Sequence, residues 1–138
     1  MNTGADAAPC DDDLVIVEDE GILRITFNRP RARNALTLGM YERLEKLCLR
    51  MGEEFPSVRV AILSGQGGEA FASGTDISEF RSFENAQDAI AYERRISRVL
   101  DALSSCPIPT IAAVAGACVG GGLAIAACCD IRIAASNA

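Results

Sequence analysis

The first regular pattern of apolar positions begins just beyond an acidic opening stretch. Leu14 to Val17 and Gly21 to Phe27 are runs rich in Val, Ile and Leu, separated by Glu18, Asp19 and Glu20. Such runs predict a β-hairpin, with Gly21 supplying turn freedom. The period then lengthens: Leu38, Tyr41, Leu44, Leu47, Cys48 and Met51 recur three or four residues apart. That spacing predicts an amphipathic helix with Thr37 as N-cap and Gly52 near its end. Pro56 and Ser57 reset the chain before Val58 to Leu63, a short β-branched strand. A longer helix is expected from about Glu84 to Ser104, with a stripe of Ile90, Ile96, Val99, Leu100 and Leu103 and with Pro107 barring its continuation. Thr110 to Val114 reads as a strand, Gly120 to Cys128 as a short helix opened by glycines, and Ile131 to Ala135 as a last strand. Hairpin and strand-loop-helix-strand units alternate, so the expected class is α/β. No sequence repeat or low-complexity linker is visible, and residues 14–138 read as one core behind a flexible acidic tail, 1–13.

Composition narrows this. With 49% hydrophobic and 23% charged residues, the 138-residue chain is globular in character, and a domain near this size buries roughly two-thirds of its unfolded surface. Aromatics make up 5% and tryptophan is absent, so the core must be built from Ala, Val, Ile and Leu. The formal net charge of -6 argues against nucleic acid as a partner. Arg24, Arg29, Arg31 and Arg33 nevertheless concentrate positive charge, which suits a solvated loop or a local anion contact. The six cysteines follow no secretory leader and are expected reduced, with Cys118, Cys128 and Cys129 in small apolar surroundings. No CxxC pair and no histidine occur, which argues against a metal site and removes Ser-His-Asp and Cys-His mechanisms from within the chain. Ile108 to Ile125 is apolar, but glycines at 116, 120, 121 and 122 break it. It does not read as a membrane span, and the expected location is cytoplasmic.

Two strands run into glycine-bearing turns. Val58 to Leu63 leads toward Phe71-Ala72-Ser73-Gly74-Thr75-Asp76-Ile77, and Thr110 to Val114 leads toward Val119-Gly120-Gly121-Gly122-Leu123. Glycine lets a backbone approach a ligand without a Cβ in the way. A helix opening at Gly121 or Gly122 would aim unpaired NH groups and its positive dipole end at an anionic oxygen. A glycine triplet also serves as a tight packing device. The cluster Ser64-Gly65-Gln66-Gly67-Gly68 is not followed by Lys-Ser/Thr, which excludes a Walker phosphate loop. No GxGxxG opens a helix after a strand, so the dinucleotide fingerprint is absent.

Together, Asn28-Arg29-Pro30, Asn34-Ala35-Leu36, the segment Phe71 to Ile77, Gly120-Gly121-Gly122 and Cys129-Asp130-Ile131-Arg132-Ile133-Ala134 resemble the ordered landmarks of the crotonase superfamily, the enoyl-CoA hydratase/isomerase family, from about Leu14 to Ala135. The resemblance implies a spiral of ββα units, truncated before the C-terminal helical region. It also implies an oxyanion hole for an acyl-CoA thioester carbonyl, made by motif position from the backbone NH groups of Thr75 and Gly121. Arg31, Ala32 and Arg33 are implied to touch the CoA moiety, and Ser73, Gly74, Asp76, Ile77 and Gly120 to line its path. CoA enters as part of the substrate, with no separate cofactor. The full-length form is implied to be a homo-oligomer, trimer or hexamer.

One position departs from the resemblance. Hydratases of the family place a glutamate in a Gly-Gly-Gly-x-Glu pattern, where this chain has Ala124. A methyl group carries no proton, so hydration by two carboxylates is disfavoured. Isomerisation, which uses one carboxylate from further along the family's chain, is favoured. Among the carboxylates near the loops, Asp76 and Asp130 are expected to cap or pair locally, and Glu79 is as readily solvent-facing as a substitute base. The alternatives are a noncatalytic acyl-CoA-binding or assembly module, or an inactive fragment whose last strand is an exposed edge.

Overall fold

The structure is a computed structural model that describes residues 13–138. The expected tail, 1–13, lies outside the described residues except for Asp13. Strands β1 (Leu14–Asp19) and β2 (Ile22–Phe27) pair antiparallel, Leu14 opposite Phe27 through Asp19 opposite Ile22. The turn between them is Glu20-Gly21, both at positive φ, 51° and 84°. That geometry matches the twist of two-residue hairpins. Helix α1 (Leu38–Glu54) follows, with the Thr37 hydroxyl accepting from the Met40 NH at 3.1 Å. Strands β3 (Val60–Gly65) and β4 (Ala70–Ala72) lead to helix α2 (Ala86–Ser104). Then come β5 (Thr110–Val114), β6 (Ala117–Cys118), helix α3 (Gly121–Cys128) and β7 (Ile131–Ala134). Single 3-10 turns lie at Pro30–Ala32 and Ile77–Phe80.

The larger sheet has the order β1-β2-β3-β5-β7, parallel from β2 onward, and β4 pairs parallel with β6 in a second, small sheet. Each of β3-β4-α2 and β5-β6-α3 therefore sends one strand to the large sheet, one to the small sheet, and then a helix. The opening unit β1-β2-α1 differs in keeping both strands in the large sheet. This is the expected α/β spiral of ββα units, a structural repeat with no repeat in sequence.

Three local differences have physical causes. The third strand begins at Val60 rather than Val58 because the Val58 NH closes a turn onto the Phe55 carbonyl at 3.0 Å, and the pairing with the hairpin starts where Arg59 and Val60 donate to the Gly21 carbonyl. Strands β4 and β6 were not expected at all; at three and two residues they are too short to carry an alternating pattern. Ile90 is 43% exposed, so the buried stripe of α2 lies in its second half, on Val99, Ala102 and Leu103.

The core joins Leu23, Ile25 and Phe27 of β2, Leu44, Leu47 and Met51 of α1, Ala61 and Leu63 of β3, and Ile125 of α3. Phe27 meets Phe71 edge to face with centroids 5.3 Å apart. Fully burying a side chain of this size contributes about 2 kcal/mol. Small residues elsewhere let the backbones close in. A Cβ on Gly122 would stand 2.2 Å from the Ala72 carbonyl oxygen, so α3 rests directly on β4. This contact brings the two glycine-bearing loops together.

Candidate functional site

The loop after β4 is held by residues from the segment that follows β2. Asn34 is fully buried at positive φ, 57°. Its side-chain nitrogen donates to the Gln66 and Ala70 carbonyls at 3.1 and 2.7 Å, and its oxygen accepts from the Arg29 NH at 2.8 Å. Arg29 reaches inward, donating to the Ala35 carbonyl at 2.7 Å and pairing with Asp76 at 3.0 Å. The arginine cluster is therefore divided: Arg29 braces the fold, whereas Arg31 and Arg33 are exposed. Arg31 and Ala32 border a hollow of about 270 Å³ beside Asn28. Arg33 borders a different one, about 620 Å³, shared with Cys118 and Val119 ahead of Gly120. Ser73 approaches the Ala32 carbonyl at 3.5 Å, which places the two implied CoA-contacting segments side by side. Ile77 is 77% exposed.

Two backbone donors face away from the surrounding protein. The Leu36 NH donates to the Gly74 carbonyl at 2.8 Å, and the Asp76 NH donates to the Leu36 carbonyl at 2.9 Å. In a trans peptide the C=O and N–H point in opposite directions, so the Thr75 NH is aimed away from Leu36. At the second loop the Gly120 carbonyl accepts from the Ala124 NH at 3.0 Å. By the same geometry the Gly121 NH points out of the N-terminal end of α3, where a helix leaves its first amides unpaired. Among the described residues neither NH has an acceptor. The loops are in contact: a Cβ on Gly74, itself at φ 107°, would lie 3.8 Å from the Gly121 nitrogen, and one on Gly120 would lie 3.5 Å from the Gly74 Cα. Such an arrangement can offer two hydrogen bonds to one negatively charged oxygen.

The three carboxylates singled out from the sequence, Asp76, Glu79 and Asp130, are engaged locally. Asp76 caps the Ile77–Phe80 turn through the Ser78 NH at 2.9 Å and the Ser78 hydroxyl at 2.7 Å. These Ser78 bonds, with help from Arg29, hold its carboxyl below the usual range. Asp130 accepts from the Thr110 NH at 2.9 Å, while its own NH donates to the Thr110 hydroxyl at 3.0 Å. Glu79 does not turn to solvent; its carboxylate accepts from the Leu38 NH and seats on the N-terminal end of α1. Ala124, in the first turn of α3, presents a half-buried methyl.

The sequence did not single out the hydroxyl groups beside this site. Thr75 Oγ1 lies 2.9 Å from the Tyr41 hydroxyl and 2.5 Å from the Tyr92 hydroxyl. These are the two tyrosines of the chain. Tyr41 fell within a helical apolar stripe and read as core. Nothing in its spacing distinguishes a ring whose hydroxyl reaches a loop far along the chain. Burial raises the Tyr41 pKa, keeping it a neutral phenol.

With the ββα spiral and the apposed loops described, comparison with known proteins is direct: residues 17–138 match the enoyl-CoA hydratase/isomerase family, and the chain belongs to it. It is similar to the crotonyl-CoA hydratase of Syntrophomonas wolfei, 32% identical over 92% of this chain and 48% of the relative. It is also similar to the short-chain-enoyl-CoA hydratase of Clostridium acetobutylicum, 38% identical over 90% of this chain and 47% of the relative. Among solved structures, an enoyl-CoA hydratase/carnithine racemase from Magnetospirillum magneticum superposes with a TM-score of 0.84 at 42% identity, covering 91% of this chain and 47% of that one. The chain thus spans about half the length of the curated relatives it matches.

Proposed function

We propose that this chain binds an acyl-CoA thioester and stabilises the enolate formed from it, using the backbone NH groups of Thr75 and Gly121 as the oxyanion hole. The observation that carries this is the pair of donors, each oriented by a hydrogen bond on the opposite edge of its peptide and each without an acceptor among the described residues. Preorganised donors of this kind are worth about 3 kcal/mol each to a developing oxyanion. The CoA moiety would pass between Arg31, Ala32 and Arg33 on one side and Ser73, Gly74, Asp76, Ile77 and Gly120 on the other. Arg31 and Arg33 would meet its phosphates.

Within the family, isomerisation of an enoyl-CoA is favoured over hydration. Hydration asks two proton-carrying groups to act on water and substrate, and Ala124 supplies none where the family's hydratases place a glutamate. Isomerisation needs one group that removes a proton and returns it to another carbon. A second reading, a noncatalytic acyl-CoA-binding or assembly module, is supported by the engagement of Asp76, Glu79 and Asp130 with local partners. Turnover of 3-enoyl-CoA to 2-enoyl-CoA, set against hydration of crotonyl-CoA, separates the readings. Isomerisation without hydration is expected. Ordinary hydration rates would overturn the isomerase preference, and thioester binding without turnover of either substrate would establish the binding module.

A further inference from the structure

Three hydroxyl groups from three parts of the chain meet beside the two backbone donors. Tyr41 comes from α1 and is 2% exposed. Tyr92 comes from α2 and is half-buried, its ring stacked edge to face on Phe80 and Phe83 at 5.1 and 5.7 Å. Both bond to the Thr75 hydroxyl, on the residue that carries one donor NH. Tyr41 also touches the residue that carries the other: a Cβ on Gly121 would stand 2.2 Å from its hydroxyl oxygen. Gly121 has no positive φ among the described residues, so its glycine serves this close approach and not an unusual torsion.

The bonding order follows from counting. Three hydroxyls carry three protons and share two bonds, leaving one proton over. The buried Tyr41 hydroxyl has Thr75 as its hydrogen-bond partner, and buried donors are rarely left unpaired. Tyr41 therefore donates to Thr75, Thr75 donates to Tyr92, and the remaining proton sits at the more exposed Tyr92 end. The peptide that presents the Thr75 NH is flanked by Gly74, which has the widest torsional freedom of any residue. Leu36 bridges the backbone on both sides of Thr75, through the Gly74 carbonyl and the Asp76 NH. The two helices add a further hold through the Thr75 side chain.

We propose, on the basis of the thioester-polarising role set out above, that Tyr41 and Tyr92 are positioning residues of the oxyanion hole, acting through the Thr75 hydroxyl. They fix where the Thr75 NH points and how closely Gly121 approaches it. Because Tyr92 belongs to α2, seating of that helix and of the Phe80-Phe83 pair becomes a condition for a well-formed hole.

The test uses the whole 138-residue chain with butyryl-CoA carrying a carbon-13 label in its carbonyl. The infrared carbonyl band of the bound thioester reports polarisation. Wild-type chain is expected to lower the carbonyl frequency. Tyr92→Phe, which keeps the ring cluster, is expected to reverse most of that lowering, while the butyryl-CoA dissociation constant stays close to wild type. Thr75→Val is expected to reverse the lowering as well, and Thr75→Ser, which keeps the hydroxyl, to restore it. A Tyr92→Phe chain that loses thermal stability but keeps the wild-type band overturns the inference alone, as does a Thr75→Val chain with an unmoved band. Wild-type chain that does not lower the carbonyl frequency overturns the thioester-polarising role, and the inference with it.

Discussion

Asn34 and Asp76 show how single side chains hold the loop on which the site depends. Asn34 satisfies two carbonyls and one NH from inside the protein, and it does so at a positive φ that a β-carbon disfavours. Asn34→Ala leaves those groups unpaired and keeps the unfavourable torsion, so it will destabilise the chain by about 3 kcal/mol. A lower urea midpoint at unchanged slope checks this. Asp76 makes a pH-dependent contribution. Its bonds from Ser78 and Arg29 depress its folded pKa below the unfolded value of 3.8, so the stability it adds is complete well above that value. It is lost as pH falls through the lower folded pKa. Asp76→Asn will therefore lower the melting temperature at pH 7 and flatten its dependence on pH below about 4, measured by thermal melts across that range.

At the level of elements, the spiral depends on close backbone approach. Gly122→Ala would drive a methyl into the Ala72 carbonyl and push α3 off β4. A cost of about 1–3 kcal/mol is expected from such overpacking, together with weaker butyryl-CoA binding measured by calorimetry, because the two donor loops separate when α3 moves. The hairpin, α1, α2 and the large-sheet strands were legible in the sequence because each is long enough for its apolar pattern to show, and α3 was legible from the glycines that open it. The short strands β4 and β6 were not, since Ala70–Ala72 and Ala117–Cys118 are small residues whose pairing is set by tertiary contact. The site was legible to a similar extent. Glycines mark where backbone must come close, so the two loops stood out, whereas Thr75 and Gly121 within them were singled out only by the resemblance to the crotonase superfamily. Glu79 turning onto α1 and the convergence of Tyr41 and Tyr92 on Thr75 could not be read in either way, because they depend on how helices pack across the molecule.

At the scale of the whole molecule, β7 stands at the rim of the large sheet, with Ile131 and Ile133 half or more exposed, 50% and 61%. A strand with one unpaired edge and apolar side chains recruits further strands. The chain is expected to associate as its concentration rises, and Ile133→Lys to reduce that association, as read by sedimentation velocity. The same sheet has another property. Its strands stand in the order in which they occur along the chain, each joining the edge left by the one before, with no later strand inserted between two earlier ones. A ribosome releasing this polypeptide would deliver each later strand of this sheet to an edge already formed. Assembly of these five strands can then advance outward from the hairpin in the order of synthesis.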